Sequence, residues 1–252
     1  MSEPTRDMLA GRQPAGRKRF WKDADVVQEA EGFAVRLDGR TVRLPAGTAL
    51  SVPSRALAEA LAAEWRAAGL GESGRFVPAD LPLTGIAGSM LERIPQVRDG
   101  VVQSLLAYAN SDLLCYRDAA GSALARQQAE VWDPLLQQLE ATHGCRLAVT
   151  SGVMPICQTD DVLRRLHHVL DTSAEEELAV VGVVVPALGS LALGLLMLEA
   201  GMEPQTLVHA ATLDEQIQMA TWGVDTEVTD RIAALQDEVT CARRFLTLYR
   251  QG

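Results

Sequence analysis

The stretch DVVQEAEGFAVRLDGRTVRLP, residues 25–45, sets the kind of fold with which this chain begins. Phe33, Val35 and Leu37 alternate with Ala34 and Arg36. Beyond Asp38-Gly39, Val42 and Leu44 alternate with Thr41 and Arg43. A period of two on either side of two residues that tolerate positive φ is the pattern of a β-hairpin. Val26-Val27, ahead of Glu31-Gly32, adds a third strand, and Ala49–Val52 a fourth. So small a meander is marginal alone and must pack on something.

The rest of the chain reads as helix. Pro53-Ser54 opens one through about Ala68, with Leu57, Leu61, Glu64, Trp65 and Ala68 on one stripe and Gly69 past its end. Glycine and proline break up residues 69–82, which read as loop and domain junction. From Pro95 the period is helical. Val97, Val101, Leu105 and Tyr108 form one face, and Leu124, Val131, Leu135 and Leu139 another, with a kink expected at Pro134. Thr159 caps a helix carrying Val162, Leu163, Leu166 and Leu170, and Ser173-Ala-Glu-Glu176 has capping-box spacing. The final helix, Asp225 to about Tyr249, repeats Val228, Ile232, Leu235, Val239, Ala242, Leu246 and Tyr249 at alternating spacings of four and three. That seam suits docking on its own bundle, or pairing between chains.

The predicted class is therefore α+β: a small N-terminal antiparallel β-rich domain followed by a larger all-helical C-terminal domain. The expected organisation is a disordered tail at 1–16, a β-rich domain with one helix at 17–90, and a helical domain at 91–252. Leu178–Leu198 runs 21 residues without a charge, long enough to span a bilayer. Glycines and Pro186 interrupt the run and its flanks are acidic, so two core helices broken near Pro186 are expected instead of a span.

The net charge is −10, and the two lysines, Lys18 and Lys22, both sit near the N-terminus. No basic stripe is present for a phosphate backbone, so nucleic acid is not an expected partner. Four widely spaced cysteines without a Cys-x-x-Cys pair read as buried thiols in a reducing compartment. No secretory pattern opens the chain.

Motifs for chemistry are missing. The sequence has no glycine-rich phosphate loop, no His-Glu-x-x-His and no Gly-x-Ser-x-Gly. His167 and His168 fall on different sides of a helix and cannot share a metal ion. Two polar groupings remain. In Trp132-Asp133-Pro134, Asp133 could satisfy backbone groups freed by the proline. In Leu213–Gly223, Asp214, Gln218 and Trp222 fall on one helical face with Glu215 beside them. The second grouping could be a pair of acids for general acid/base catalysis of a small molecule. It suits better a docking surface, with an aromatic anchor and acids that meet arginines. Its bland alternative is a solvated face with Trp222 filling the core.

Seven motifs occur in order: RFWK at 19–22, GFAVRLDGRTVRLP at 32–45, AEW at 63–65, LPLTGIA at 81–87, DLLCYR at 112–117, WDPLL at 132–136 and DEQIQMATWG at 214–223. Together they resemble the assembly chaperone family of F-type ATP synthase that binds the α subunit of the catalytic head, the "ATP-twelve" chaperones. The resemblance spans about residues 17–250. It implies a molecular chaperone that is not an enzyme. Such a protein shields the unassembled α subunit from aggregation until a β subunit replaces it, independently of ATP. It also implies no cofactor and no metal, no insertion into a membrane, and a cytoplasmic location in a bacterial form, against the mitochondrial matrix for eukaryotic relatives. Carried over, the DEQIQMATWG segment makes Asp214, Glu215, Gln218 and Trp222 the expected client-binding residues. A membrane-associated assembly factor, using Leu178–Leu198, is the remaining alternative.

Overall fold

The computed structural model describes residues 16–152 and 155–252, so the tail expected at 1–16 lies, but for Gly16, outside the described residues. The N-terminal hairpin forms where its sequence predicts. Strands β1 (Arg17–Lys18) and β2 (Ala24–Glu29) precede β3 (Gly32–Leu37), and β2 pairs antiparallel with β3, with Val26 opposite Val35. Asp38 (φ 47°) and Gly39 (φ 80°) turn the chain into β4 (Arg40–Thr41). Two consecutive residues with positive φ match the right-handed twist of the strands they join. The Asp38 carboxylate also accepts the amides of Lys22 and Asp23 at 3.0–3.1 Å, fastening the turn to the start of the domain. Strand β5 (Ser51–Val52) lies on the same edge of β3 as β4, further along it, with Val52 opposite Phe33.

Helix α1 (Arg55–Ala67) covers this sheet. Ser54, fully buried, caps it by accepting the Leu57 amide, and Leu57 and Leu61 are completely enclosed. At its far end the Arg19 guanidinium donates to the carbonyls of Arg66 and Ala68 at 2.7 and 2.6 Å, satisfying groups that a helix C-terminus leaves open. Aromatic residues are few in this chain, yet Trp21, Trp65 and Phe76 meet edge to face here, with ring centres 5.1–5.9 Å apart. Phe76 belongs to β6 (Arg75–Phe76), which pairs with β1 inside the stretch expected to be loop.

The helical run begins earlier than its periodicity suggests. Helix α2 (Pro82–Gly88) continues through a π turn at Ser89–Arg93 into α3 (Ile94–Leu106), and the boundary expected at 90/91 falls inside this run. Gly85 and Gly88 make α2 a poor helix former by itself. Its start is held by α1: the Glu64 carboxylate accepts the amides of Leu83 and Thr84 at 2.7 and 2.9 Å. Burial pushes that carboxyl above its ordinary pKa, and those hydrogen bonds pull in the other direction. Val97, expected on the buried face of α3, is instead 51% exposed at a non-helical position that kinks the helix.

Strand β7 (Tyr116–Arg117) makes a short parallel pair with β8 (Thr150–Ser151), and α4 (Ala123–His143) lies between them in sequence. Helix α4 runs through Pro134 without a break. Pro134 and Glu130, whose carbonyl loses its donor, both face solvent, where water can take the partner's place. Helix α5 (Asp160–Thr172) is capped by Thr159 as expected. The next cap is shifted by one residue: Glu177 accepts the Ala174 amide, while the Ser173 hydroxyl donates back to the Val169 carbonyl. Of the cysteines expected to be buried, Cys115 and Cys145 are, Cys241 is half-buried and Cys157 is exposed.

The uncharged run is core. It forms α6 (Glu175–Leu188) and α7 (Leu191–Leu196), with Leu178, Val181, Val184, Val185 and Leu193 fully buried. The break comes at Gly189-Ser190, past Pro186, which stays inside α6. Pro186 and Gly182, whose carbonyl it would crowd, both lie on the exposed side, while Gly189 adopts φ 64° and ends the helix. No room remains for a Cβ at Gly194, which abuts Val185, so α7 folds closely against α6. Beneath the break lies Asp112. It is fully buried and accepts from the Ser190 hydroxyl at 2.7 Å, the Ala192 amide at 2.9 Å and the Leu114 amide at 3.1 Å. No helix among the described residues is long and apolar enough to cross a membrane.

Helices α8 (Pro204–Ala211), α9 (Leu213–Trp222) and α10 (Thr226–Tyr249) complete the chain. The C-terminal half of α10 buries Val239, Ala242, Phe245 and Leu246 against α6 and α8, and the helix also reaches α1 and α2. One continuous apolar core therefore runs from Trp21 under the sheet to Leu246.

Candidate functional site

Helix α9 starts inside the protein and ends outside it. Its first turn is anchored by Leu213, 5% exposed, and by Thr212, whose hydroxyl donates to the Val208 carbonyl at 2.8 Å. Gln216 donates to the Thr212 hydroxyl at 2.6 Å and meets His209 Nδ1 at 2.9 Å. Trp132, buried in α4, donates its indole N–H to the Ala210 carbonyl at 2.8 Å, fixing the turn from α8 into α9. Beyond Ile217 this support ends. The chain reverses at Gly223–Asp225, where the Asp225 carboxylate accepts the Glu227 and Val228 amides and starts α10. The result is an arm made of the outer half of α9 and the first half of α10.

The four residues singled out in the sequence lie along α9 in different settings, Asp214 and Glu215 in its anchored first turn and Gln218 and Trp222 on the arm. Asp214 is half-buried and accepts two hydrogen bonds from the Gln128 amide, at 2.8 and 3.1 Å. Gln128, itself 1% exposed, uses its carbonyl to accept the Asp118 amide. Asp214 thus ties α9 to α4. Glu215 pairs with Arg231 of α10 at 2.6 Å, bracing the arm across its two helices. Gln218 is exposed. Trp222 is 86% exposed and Val224 80%, so the indole is no core filler.

This geometry separates the two acids. Their carboxylates serve different neighbours, and neither they nor Gln218 and Trp222 line the cavity of about 1260 Å³ that lies between the sheet and α2. The arm presents an open face, with an aromatic residue at its tip. Residues 213–238 hold seven carboxylates and one arginine, so that face is acidic. A protruding indole on an acidic surface can insert into an apolar pocket while its rim meets cations.

The other polar grouping has a structural task. Asp133 accepts from Arg117 at 2.8 Å and leaves the backbone near Pro134 alone. The Arg117 guanidinium stacks over the Trp132 ring at 4.9 Å, linking β7 to α4.

Comparison with known proteins places this architecture. The profile of the family described as "ATP12 chaperone protein" matches residues 18–140. The structure of Atp12 from Paracoccus denitrificans superposes with a TM-score of 0.81 at 34% identity, covering 92% of this chain and 98% of that one. A structure from Agrobacterium tumefaciens superposes equally well, TM-score 0.81, at 31% identity over 91% of this chain and 85% of that one. Among curated proteins, the mitochondrial protein atp12 of Schizosaccharomyces pombe is 25% identical over 224 residues, 84% of this chain and 75% of its own length.

Proposed function

The chain belongs to the ATP12 chaperone protein family, and from that premise we propose that it assists assembly of F-type ATP synthase by holding the unassembled α subunit and keeping it from aggregating. It does so without turning over ATP and without acting as an enzyme. The observation that carries this reading is Trp222, a large apolar side chain 86% exposed at the tip of an acidic arm. Covering such a side chain on binding removes a large apolar area from water, and tryptophan is a frequent anchor at interfaces.

On this reading Trp222 enters an apolar pocket of the client. Asp214, Glu215 and Gln218 lie along the approach and meet basic or hydrogen-bonding groups of the same surface. Because Asp214 and Glu215 already have partners in the free chain, they orient the arm as much as they contact the client. The work is done where the α subunit is synthesised, the cytoplasm in a bacterium. The S. pombe relative is by its name mitochondrial.

Purified chain, mixed with unassembled α subunit, should hold it in solution equally with and without ATP. Glu215→Lys should weaken that capture. Capture unchanged by Glu215→Lys removes this residue from the site, and failure of the unaltered chain to retain the α subunit ends the proposal.

A further inference from the structure

Opposite in character to the arm is a groove between the sheet and α2. One wall is the segment that follows β4, with Val42, Leu44 and Pro45. The other is the exposed flank of α2 and its π turn, where Gly85 and Ser89 leave the helix backbone nearly bare, while the Leu44 side chain lies against Gly88. A Cβ built at Gly85 meets nothing within 4 Å, so this wall has space for a second backbone to lie against it. The helix is irregular along this side, first at the π turn and then at the kinked Val97, which exposes its apolar side chain at the groove's end. π turns inside helices are often found at functional sites.

The charge here runs against that of the chain. Arg17, Arg43 and Arg93 line the groove, all exposed, and none pairs with a carboxylate among the described residues. Glu92 is the one acid among the described lining residues. Its oxygens accept the amides of Ala46 and Thr48 at 3.0–3.1 Å, so it makes no ion pair with the arginines, and its single charge offsets only one of their three. A protein of net charge −10 thus carries a local cationic cleft with an apolar floor.

We propose that this groove is a second client-docking site, which takes an apolar polypeptide segment bearing carboxylates, its backbone against Gly85 and its acids at Arg17, Arg43 and Arg93. The inference rests on the reading that the chain holds an unassembled α subunit, and it names a different surface and a different chemistry from the arm. Cations around an apolar cleft favour a segment whose acids flank its apolar residues, and they disfavour basic ones.

The test uses the full chain and purified α subunit. Gly85→Leu fills the groove from an exposed helical position where the new side chain has space, so thermal stability should hold or rise. Arg93→Glu reverses one charge at an exposed site. Each should weaken capture about tenfold, while Arg93→Lys stays within about twofold. A photo-crosslinking residue at position 85 should label α-subunit peptides that contain Asp or Glu. If the unaltered chain captures the α subunit and Gly85→Leu and Arg93→Glu capture it within twofold of that, the groove proposal falls and the arm survives. Crosslinks only to residues 1–15 of the chain itself overturn it too. No capture by the unaltered chain sinks both readings.

Discussion

Helix α10 keeps one heptad rhythm from Val228 to Tyr249, yet its two halves live in different surroundings. In the C-terminal half, Val239, Ala242, Phe245 and Leu246 have no exposed surface. In the N-terminal half, Val228, Ile232 and Leu235 are only half covered, and the neighbouring α9 ends in an exposed indole. The same spacing that builds the core in one place builds a partly open arm in the other. Periodicity tells which side of a helix is apolar; what covers that side depends on the rest of the chain.

Substitutions can measure this contrast. The largest effect belongs to the buried end. Phe245→Ala should cost about 3–5 kcal/mol, because it removes a fully enclosed ring and leaves a cavity, seen as a large fall in the denaturant midpoint. Asp112→Ala should cost about 3 kcal/mol or more, since it strands a buried hydroxyl and two amides. The pH dependence of stability supplies its sign. Burial raises the Asp112 carboxyl above its ordinary pKa, against donors at Ala192, Ser190 and Leu114. The folded chain therefore holds that proton more tightly than the unfolded one. Its contribution to stability is present at acid pH and is lost as pH rises through the folded value. Asp112→Asn should flatten that component in urea titrations run across pH.

The arm should respond weakly in stability and strongly in capture. Glu215→Lys breaks the pair with Arg231 at a partly exposed site and should cost no more than about 1 kcal/mol. Trp222→Ala should change stability by less than about 0.5 kcal/mol and yet reduce retention of the α subunit. A Trp222→Ala variant that unfolds like Phe245→Ala would erase the distinction between the two regions. Hydrogen exchange can refine it, because amides of residues 218–232 should exchange well before those of residues 239–246.

How much of this was readable in advance depends on where each element gets its support. The hairpin around Asp38-Gly39 is local, and its residues announce it. The caps at Ser54, Thr159 and Asp225 are local too. Helix α2 is not: its glycines argue against it, and the carboxylate that holds its start arrives from Glu64 on another helix. Strands β1 and β6 are two residues each and distant in sequence, so no alternation could betray them. Pro186 drew the expected break to itself because a linear pattern does not tell which side of α6 faces water. The residues of the α9 face could be picked out by spacing and by family resemblance, but whether Trp222 filled the core or stood in solvent could not. The groove left even less trace, because its walls are distant in sequence and its arginines look like ordinary surface charges until the fold gathers them.

Helix α10 comes after every element it packs on: α1 and α2 beside the sheet, α6 and α8 in the helical body. While the ribosome is still extending the chain, those earlier segments lack the side chains that seal them. A nascent form that stops short of Phe245 is itself an adhesive, half-closed polypeptide. A protein proposed to guard another subunit's unfinished surface thus passes through a vulnerable stage of its own, and its maturation hinges on two turns of helix.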